Sequence, residues 1–350
     1  MAASAPSTVT LPKRKKLQKR AAPDRSQVLR RAFQAAFLLL NLWIGAQFIL
    51  FVHYYESGGH GLGVSRPPGV EGWLPIAALM NLKVLLETGE VPTLHPAGMF
   101  LLGAFLGISW LVRKSFCGWL CPVGTMSESL WRLGRRMFGR NFRLPRKLDI
   151  GLRSLKYLLL ALFAYAVGSM SVSAIQAFLG GPYGILDDVK MLNFFRFLGA
   201  TGVLVIALLA VASMLVENFW CRYLCPYGAL LGLAALASPL RIRRNTSLCI
   251  DCGKCTNACP SALPVAQLVT IGSAECTGCL QCVAVCPAAG ALAMSAPGRQ
   301  HVPAWAMAAL IAGLFVGICG YARWSGHWNT DLPARTYFQL IPRAAEFEHP

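Results

Sequence analysis

The feature that most constrains this chain is a doubled cysteine run between residues 249 and 287. It reads Cys249-x2-Cys252-x2-Cys255-x3-Cys259-Pro260, then Cys276-x2-Cys279-x2-Cys282-x3-Cys286-Pro287. This is the bacterial two-cluster ferredoxin spacing. Three close thiolates wrap one face of a cubane, and the fourth cysteine of each run reaches across to the other cluster. The spacing predicts one [4Fe–4S] cluster on Cys249, Cys252, Cys255 and Cys286. It predicts a second on Cys276, Cys279, Cys282 and Cys259, with the two prolines turning the chain away. Zinc sites use two separated ligand pairs, and disulfide frameworks suit small secreted domains. Neither pattern matches, so the expected function class is electron movement.

Of the 350 residues, 55% are hydrophobic and only 14% are charged. A soluble domain would carry roughly a quarter charged residues, so the expected class is a membrane protein with a small soluble insert. The net charge of +18 raises nucleic acid as a partner. The basic residues instead sit beside apolar spans, where they set topology, and no nucleic-acid partner is expected. Five segments read as spans: 33–52, 97–112, 157–175, 197–216 and 303–321. No small-residue cleavage site follows the first, so it reads as a retained helix. The arm from Lys13 to Arg31, the loop from Arg113 to Arg153 and the stretch from Arg241 to Arg244 hold most of the bases. By the positive-inside rule these three segments are cytoplasmic. The ferredoxin insert then faces the cytoplasm, a reducing compartment that suits its thiolates, and the C-terminus is periplasmic.

Outside the insert stand two further cysteine pairs: Phe116-Cys117-Gly118-Trp119-Leu120-Cys121-Pro122-Val123-Gly124 and Trp220-Cys221-Arg222-Tyr223-Leu224-Cys225-Pro226-Tyr227-Gly228. Each follows a span running towards the cytoplasm, so the membrane part contains an internal repeat. Proline after the second cysteine suits a helix start, whose dipole lowers a thiol pKa. Cys117, Cys121, Cys221 and Cys225 are therefore expected to gather under the insert as redox or metal-binding thiols. Zinc, copper, a disulfide switch and another cluster all stand as alternatives, as do plain buried corners. Cys319, alone in the last span, reads as core packing.

These paired corners, the double ferredoxin motif and a tail reading Gly326-His327-Trp328 and Leu340-Ile341-Pro342 resemble the membrane polyferredoxins of the NosR/NapH group, including their YccM-like members. The resemblance covers roughly residues 30–345. The chain is also similar to CcoG-like oxidase-assembly proteins, without their immunoglobulin-like domain, and it shows no counterpart of the NosR flavin domain. The resemblance implies electron transfer from membrane quinol to a redox partner, often in anaerobic respiration.

Weaker signals crowd the outer ends of the spans. His53, Glu56, His60, Glu87, Glu90 and His95 are solvated interfacial groups, or a quinol site in which His and a carboxylate accept protons, or a haem site on His53 and His95. Distance weighs against quinol there, because the hydrocarbon core is about 30 Å thick and the clusters lie beyond its inner face. The segments 76–86 and 229–236 are too short to span and read as interfacial or re-entrant. The segment 127–138 interleaves apolar and basic residues, as expected on a lipid surface or at a partner's docking face.

The expected fold is mainly α: a polytopic membrane helix bundle of about five spans with an inserted α+β two-cluster ferredoxin-like domain. Its parts are a basic disordered arm (1–30), a membrane domain (31–240), the ferredoxin domain (241–300), and a fifth span with a periplasmic tail (301–350). The expected location is the bacterial inner membrane, with lipid, quinone or quinol and a redox protein as partners. The expected function is a relay between the quinone pool and that protein, with quinol dehydrogenase activity as the enzyme reading. A copper reductase or metal-centre assembly factor is the alternative, followed by a membrane redox sensor.

Overall fold

The computed structural model describes residues 18–20 and 24–349. Most of the basic arm expected to be disordered lies outside the described residues. Where the arm is described it lies on the ferredoxin insert. Ala289 N donates to Gln18 O at 2.8 Å, and Lys19 bridges to Ala288.

Among the described residues, fourteen α-helices and a small sheet follow. The membrane part contains α1 (Ser26–Glu56), α2 (Pro75–Thr88), α3 (Pro96–Leu111), α4 (Pro122–Phe138), α5 (Arg146–Ser169), α6 (Val172–Gly180), α7 (Pro182–Ile185), α8 (Asp187–Arg196), α9 (Ala200–Leu215) and α10 (Pro226–Leu236). The insert has strands β1 (Arg241–Arg244), β2 (Thr270–Ile271) and β3 (Leu292–Ser295), with α11 (Lys254–Asn257) and α12 (Gln281–Ala284) on the two cysteine runs. Helices α13 (Ala304–Trp324) and α14 (Ala334–Leu340) end the chain. The strand order is β2-β1-β3, antiparallel, with Ile242 opposite both Ile271 and Met294. These three apolar side chains are buried.

Among the described residues, three helices are long and apolar enough to cross a bilayer: α1, α5 and α13. The pair α8 and α9, bent by 84°, counts as a fourth if it is one broken span. The expected spans 97–112 and 197–216 are therefore shorter helices than five full crossings require. Each has 16 residues, about 24 Å at 1.5 Å per residue, against a core of about 30 Å. The expected span 157–175 is also broken. Helix α5 stops at Ser169, Met170 is extended, and the Ser171 hydroxyl caps α6 by accepting from Ala174 N at 3.2 Å. The expected interfacial segments are helical, as α2 and α10. Segment 127–138 lies within α4, with Trp131 buried and Arg135 and Arg136 in its last turn.

Among the described residues, two of the three buried clusters bear on the two ends of α3. One joins the last turns of α1 (Phe48, Phe51, Val52) to Leu186, Val189, Tyr337 and Ile341. The other joins α3, the first cysteine corner, α10 and α13 to the ferredoxin sheet. Helix α3 begins at His95 and finishes just before the corner.

Candidate functional site

Both Cys-x3-Cys-Pro corners have one local geometry. Each pair is carried by a five-residue π-helical turn, Phe116–Leu120 and Trp220–Leu224, a rare form frequent at functional sites. Cys121 N donates to Phe116 O at 2.9 Å, and Cys225 N to Trp220 O at 3.0 Å. Cys121 and Cys225 then cap the next helices, with proline in the first turn. Gly228 N donates to Cys225 Sγ at 3.2 Å. The repeat read from sequence is thus a repeat in three dimensions.

The corners meet. The sulfurs of Cys117, Cys121, Cys221 and Cys225 lie near enough to act on one another's ionisation. The expectation that a helix dipole lowers their pKa is overturned. Burial is the largest effect, and it pushes Cys117 up to about 11 and Cys121 up to about 12, although the amides of Gly124 and Val123 favour the Cys121 thiolate. Lys114, also buried, has Cys117, Glu275, Cys225 and Cys221 as its electrostatic partners.

All four thiols line a cavity of about 960 Å³. It runs from Ser65 and Arg66 to the corners, between walls that include Leu40, Ile44, Leu101, Phe105 and Phe315. Its size and apolar lining are those of a site for a small organic molecule. Tyr227 supplies a phenol near the thiols. A second, smaller cavity of about 40 Å³ also lies against the corners. Cys117 and Cys221 line both cavities, and the lining of the small one also contains Cys279, Glu275 and Thr277 of the insert. The corners therefore adjoin both the apolar cavity and the ferredoxin.

The insert is locked onto the first corner. Trp119 Nε1 donates to Gly278 O at 3.1 Å. Buried Arg30 and Gln34 donate to Gly118 O at 3.0 and 3.1 Å, and Gln27 Nε2 donates to Cys279 O at 2.9 Å. A Cβ on Gly118 would stand 2.9 Å from Thr277 O. Gly278 has φ +59, and a Cβ there would stand 2.6 Å from Ser115 Oγ. Only glycine lets the two backbones approach so closely. Lys156 Nζ donates to both Glu275 oxygens at 2.7 and 2.6 Å, beside Cys276.

Seven of the ferredoxin cysteines gather in two neighbourhoods of the insert. Cys259, Cys276, Cys279 and Cys282 together line one small cavity. Cys255 lies near Cys286 and Cys249, and near enough to Cys282 to act on it as well. The first group is deep, with Cys259, Cys276 and Cys282 buried, whereas Cys252 is exposed. Four cysteines around one cradle suit a [4Fe–4S] cubane, and the crossing matches the two-cluster pattern. Among the described residues, no three His, Cys, Asp or Glu side chains converge on a single metal ion.

The outer residues singled out from sequence do not converge. His53 is exposed. Glu56 pairs with Arg196 at 2.8 Å, and Glu87 approaches Lys83 at 3.6 Å. His95 is buried, with Nδ1 3.5 Å from Glu71 and Nε2 2.9 Å from Gly184 O. Both its ring nitrogens are engaged by protein groups, which leaves neither free as a haem ligand. Sequence reasoning missed the network that holds His95. Arg66 pairs with Glu71 and Asp188, each at 2.6 Å, and Thr330 Oγ1 donates to Glu71 at 2.8 Å. Burial would raise the Glu71 carboxyl, but Arg66 and His95 hold it at about 2. Burial would likewise lower His95, but Asp187 and Glu71 push it up to about 9.

Comparison with known proteins agrees with this layout. The family described as 4Fe-4S binding domain matches residues 94–141 and 198–245, one match over each corner, and the 4Fe-4S dicluster domain matches residues 241–295. YccM of Escherichia coli, whose name assigns it to electron transport, is 47% identical over 326 residues, 91% of each chain. The chain belongs to the NosR/NapH/YccM-type 4Fe–4S membrane proteins. More distant members of this group include the ferredoxin-type protein NapH of Haemophilus influenzae, 29% identical over 48% of this chain and 55% of its own. NirI of Paracoccus denitrificans is 32% identical over 55% of this chain and 28% of its own. No solved structure matches. Iron–sulfur clusters of this class transfer electrons, and the group's membership makes electron transport the activity class of this chain.

Proposed function

We propose that the chain relays electrons between a membrane quinone and a soluble redox partner through two [4Fe–4S] clusters. The observation that carries this reading is the junction at the corners: Cys117 and Cys221 line both the large apolar cavity and the small cavity that reaches Cys279. A quinone ring at the inner end of the large cavity lies beside Tyr227 and the corner thiols. Its isoprenoid tail follows the apolar walls. The cluster on Cys259, Cys276, Cys279 and Cys282 is proximal, being buried against the first corner. The cluster on Cys249, Cys252, Cys255 and Cys286 is distal, and exposed Cys252 marks where a partner approaches. When bound, the clusters accept and give single electrons. The protein's own residues hold the proximal group at the membrane face and exclude water from it.

In the membrane, the short helices α3 and α9 complete five crossings. The insert and the N-terminal arm face the cytoplasm, and the Arg66–Glu71–His95 network and the C-terminal tail face the periplasm. This arrangement places the basic segments inside.

Quinone binding tests the cavity directly. Trp73 and Trp328 line it, so a short-chain quinone should quench intrinsic fluorescence saturably. Gly320 also lines it, and nothing stands within 4 Å of a Cβ built there. Gly320→Trp should fold, insert an indole into the cavity wall and weaken the quenching by at least about tenfold, the equivalent of 1.4 kcal/mol. Unchanged affinity would put the quinone elsewhere.

A further inference from the structure

The four corner thiols are not needed for the two ferredoxin clusters, yet they are brought together between the cavity and the proximal cluster. Two matched 4Fe–4S segments each contain only two cysteines: Cys117 and Cys121 in residues 94–141, and Cys221 and Cys225 in residues 198–245. Neither segment can give a cubane its four thiolates alone. The two π-helical turns set the pairs in matching geometry, and both pairs line the same cavity.

Charge points the same way. Lys114 is 3% exposed. Three of its electrostatic partners are the thiols of Cys117, Cys225 and Cys221. The fourth, Glu275, has both its oxygens engaged by Lys156. Glu275 thus faces two buried ammonium groups with one negative charge. A buried ammonium is costly without facing anions, and neutral thiols do not add any. Four thiolates around an oxidised cubane do, because the assembly carries a net −2. The Gly228 amide directed at Cys225 Sγ is the kind of hydrogen bond to sulfur that stabilises and tunes an iron–sulfur centre.

We propose that Cys117, Cys121, Cys221 and Cys225 together hold a third [4Fe–4S] cluster, shared between the two halves of the membrane repeat, with Lys114 as its buried counter-charge. Placed there, the cluster stands between the quinone cavity and the proximal ferredoxin cluster and shortens the electron's path. This inference rests on the relay reading for its purpose, but its test does not depend on electron transfer.

The test is the iron and acid-labile sulfide content of the full-length protein after anaerobic reconstitution, with Mössbauer spectra to count cubanes. The wild type should hold about twelve irons, four per cubane. The double variant Cys121→Ser, Cys225→Ser should lose about a third of them and keep the ferredoxin signals. Lys114→Met retains all the ligands. It should lower the reduction potential of one cubane of the three, a shift that a structural lysine would not produce. About eight irons in the wild type would overturn the third cluster and leave the two-cluster relay standing. Stoichiometric copper or zinc with eight irons would overturn it in favour of a single-ion site. Four irons or fewer would overturn the ferredoxin assignment itself.

Discussion

The network around His95 makes the stability of the outer end depend on pH in a calculable way. His95 is 1% exposed. Burial opposes its charge, but Asp187 and Glu71 outweigh burial and hold its pKa at about 9, against about 6.5 in an unfolded chain. A folded pKa above the unfolded one means that the stabilisation is complete below about pH 6.5 and is lost as pH rises through about 9. The difference of about 2.5 units corresponds to about 3 kcal/mol at 1.36 kcal/mol per unit. For a chain of this length that is a fall in unfolding midpoint of roughly 4 °C. Glu71, held at about 2, contributes stability that is present above about pH 4.5 and lost only as pH falls through about 2, so it is constant across this window. The assay is thermal unfolding in nanodiscs at pH 6.5, 8 and 9.5, comparing the wild type with His95→Gln. The difference between the two should shrink from the lowest pH to the highest by up to about 3 kcal/mol, with Asp187, raised to about 7 by burial, titrating in the same window. Parallel curves would refute the assignment of a charged His95 to this network.

Glu275→Gln would leave Lys156 buried without its carboxylate, a change that costs about 3–5 kcal/mol. The expected result is loss of the proximal cluster's electron paramagnetic resonance signal with the distal one retained. Gly118→Ala would drive a Cβ to 2.9 Å from Thr277 O, at a cost of about 1–3 kcal/mol. Iron retention on dilution should fall, while Gly313→Ala, with nothing within 4 Å, should behave as wild type. Reporter fusions after Gly298 and after His349 should report opposite sides of the membrane, cytoplasmic and periplasmic. A shared side would remove α13 as a crossing.

The cysteine chemistry was legible in the sequence because ligand spacing is local. Two runs of Cys-x2-Cys-x2-Cys-x3-Cys-Pro are enough to propose a grouping, and the buried Cys259 lines one small cavity with Cys276, Cys279 and Cys282. The corner repeat was legible for the same reason. The spans were less so. Composition alone could not separate a 16-residue helix such as α3 from a full crossing, nor reveal the 84° bend between α8 and α9. The Arg66–Glu71–His95–Asp188 network was not legible, because its members are separated by up to 122 residues. His95 drew notice by residue type, while Arg66, a single base before Pro67, did not. The docking of Gly278 on Gly118 was equally hidden. It depends on two backbones meeting, and a lone glycine in sequence signals only that something close is allowed.

The central claim, that the clusters exchange electrons with a quinone in the membrane cavity, is tested most directly by rapid mixing. Dithionite-reduced protein in nanodiscs, freed of excess reductant, is mixed anaerobically with a short-chain quinone while the iron–sulfur absorbance is followed. The account predicts that the bleached absorbance returns in the wild type, in proportion to quinone added, and at a rate strongly reduced in Gly320→Trp at unchanged iron content. Clusters that stay reduced in the presence of excess quinone, or that reoxidise equally fast in both proteins, would contradict it.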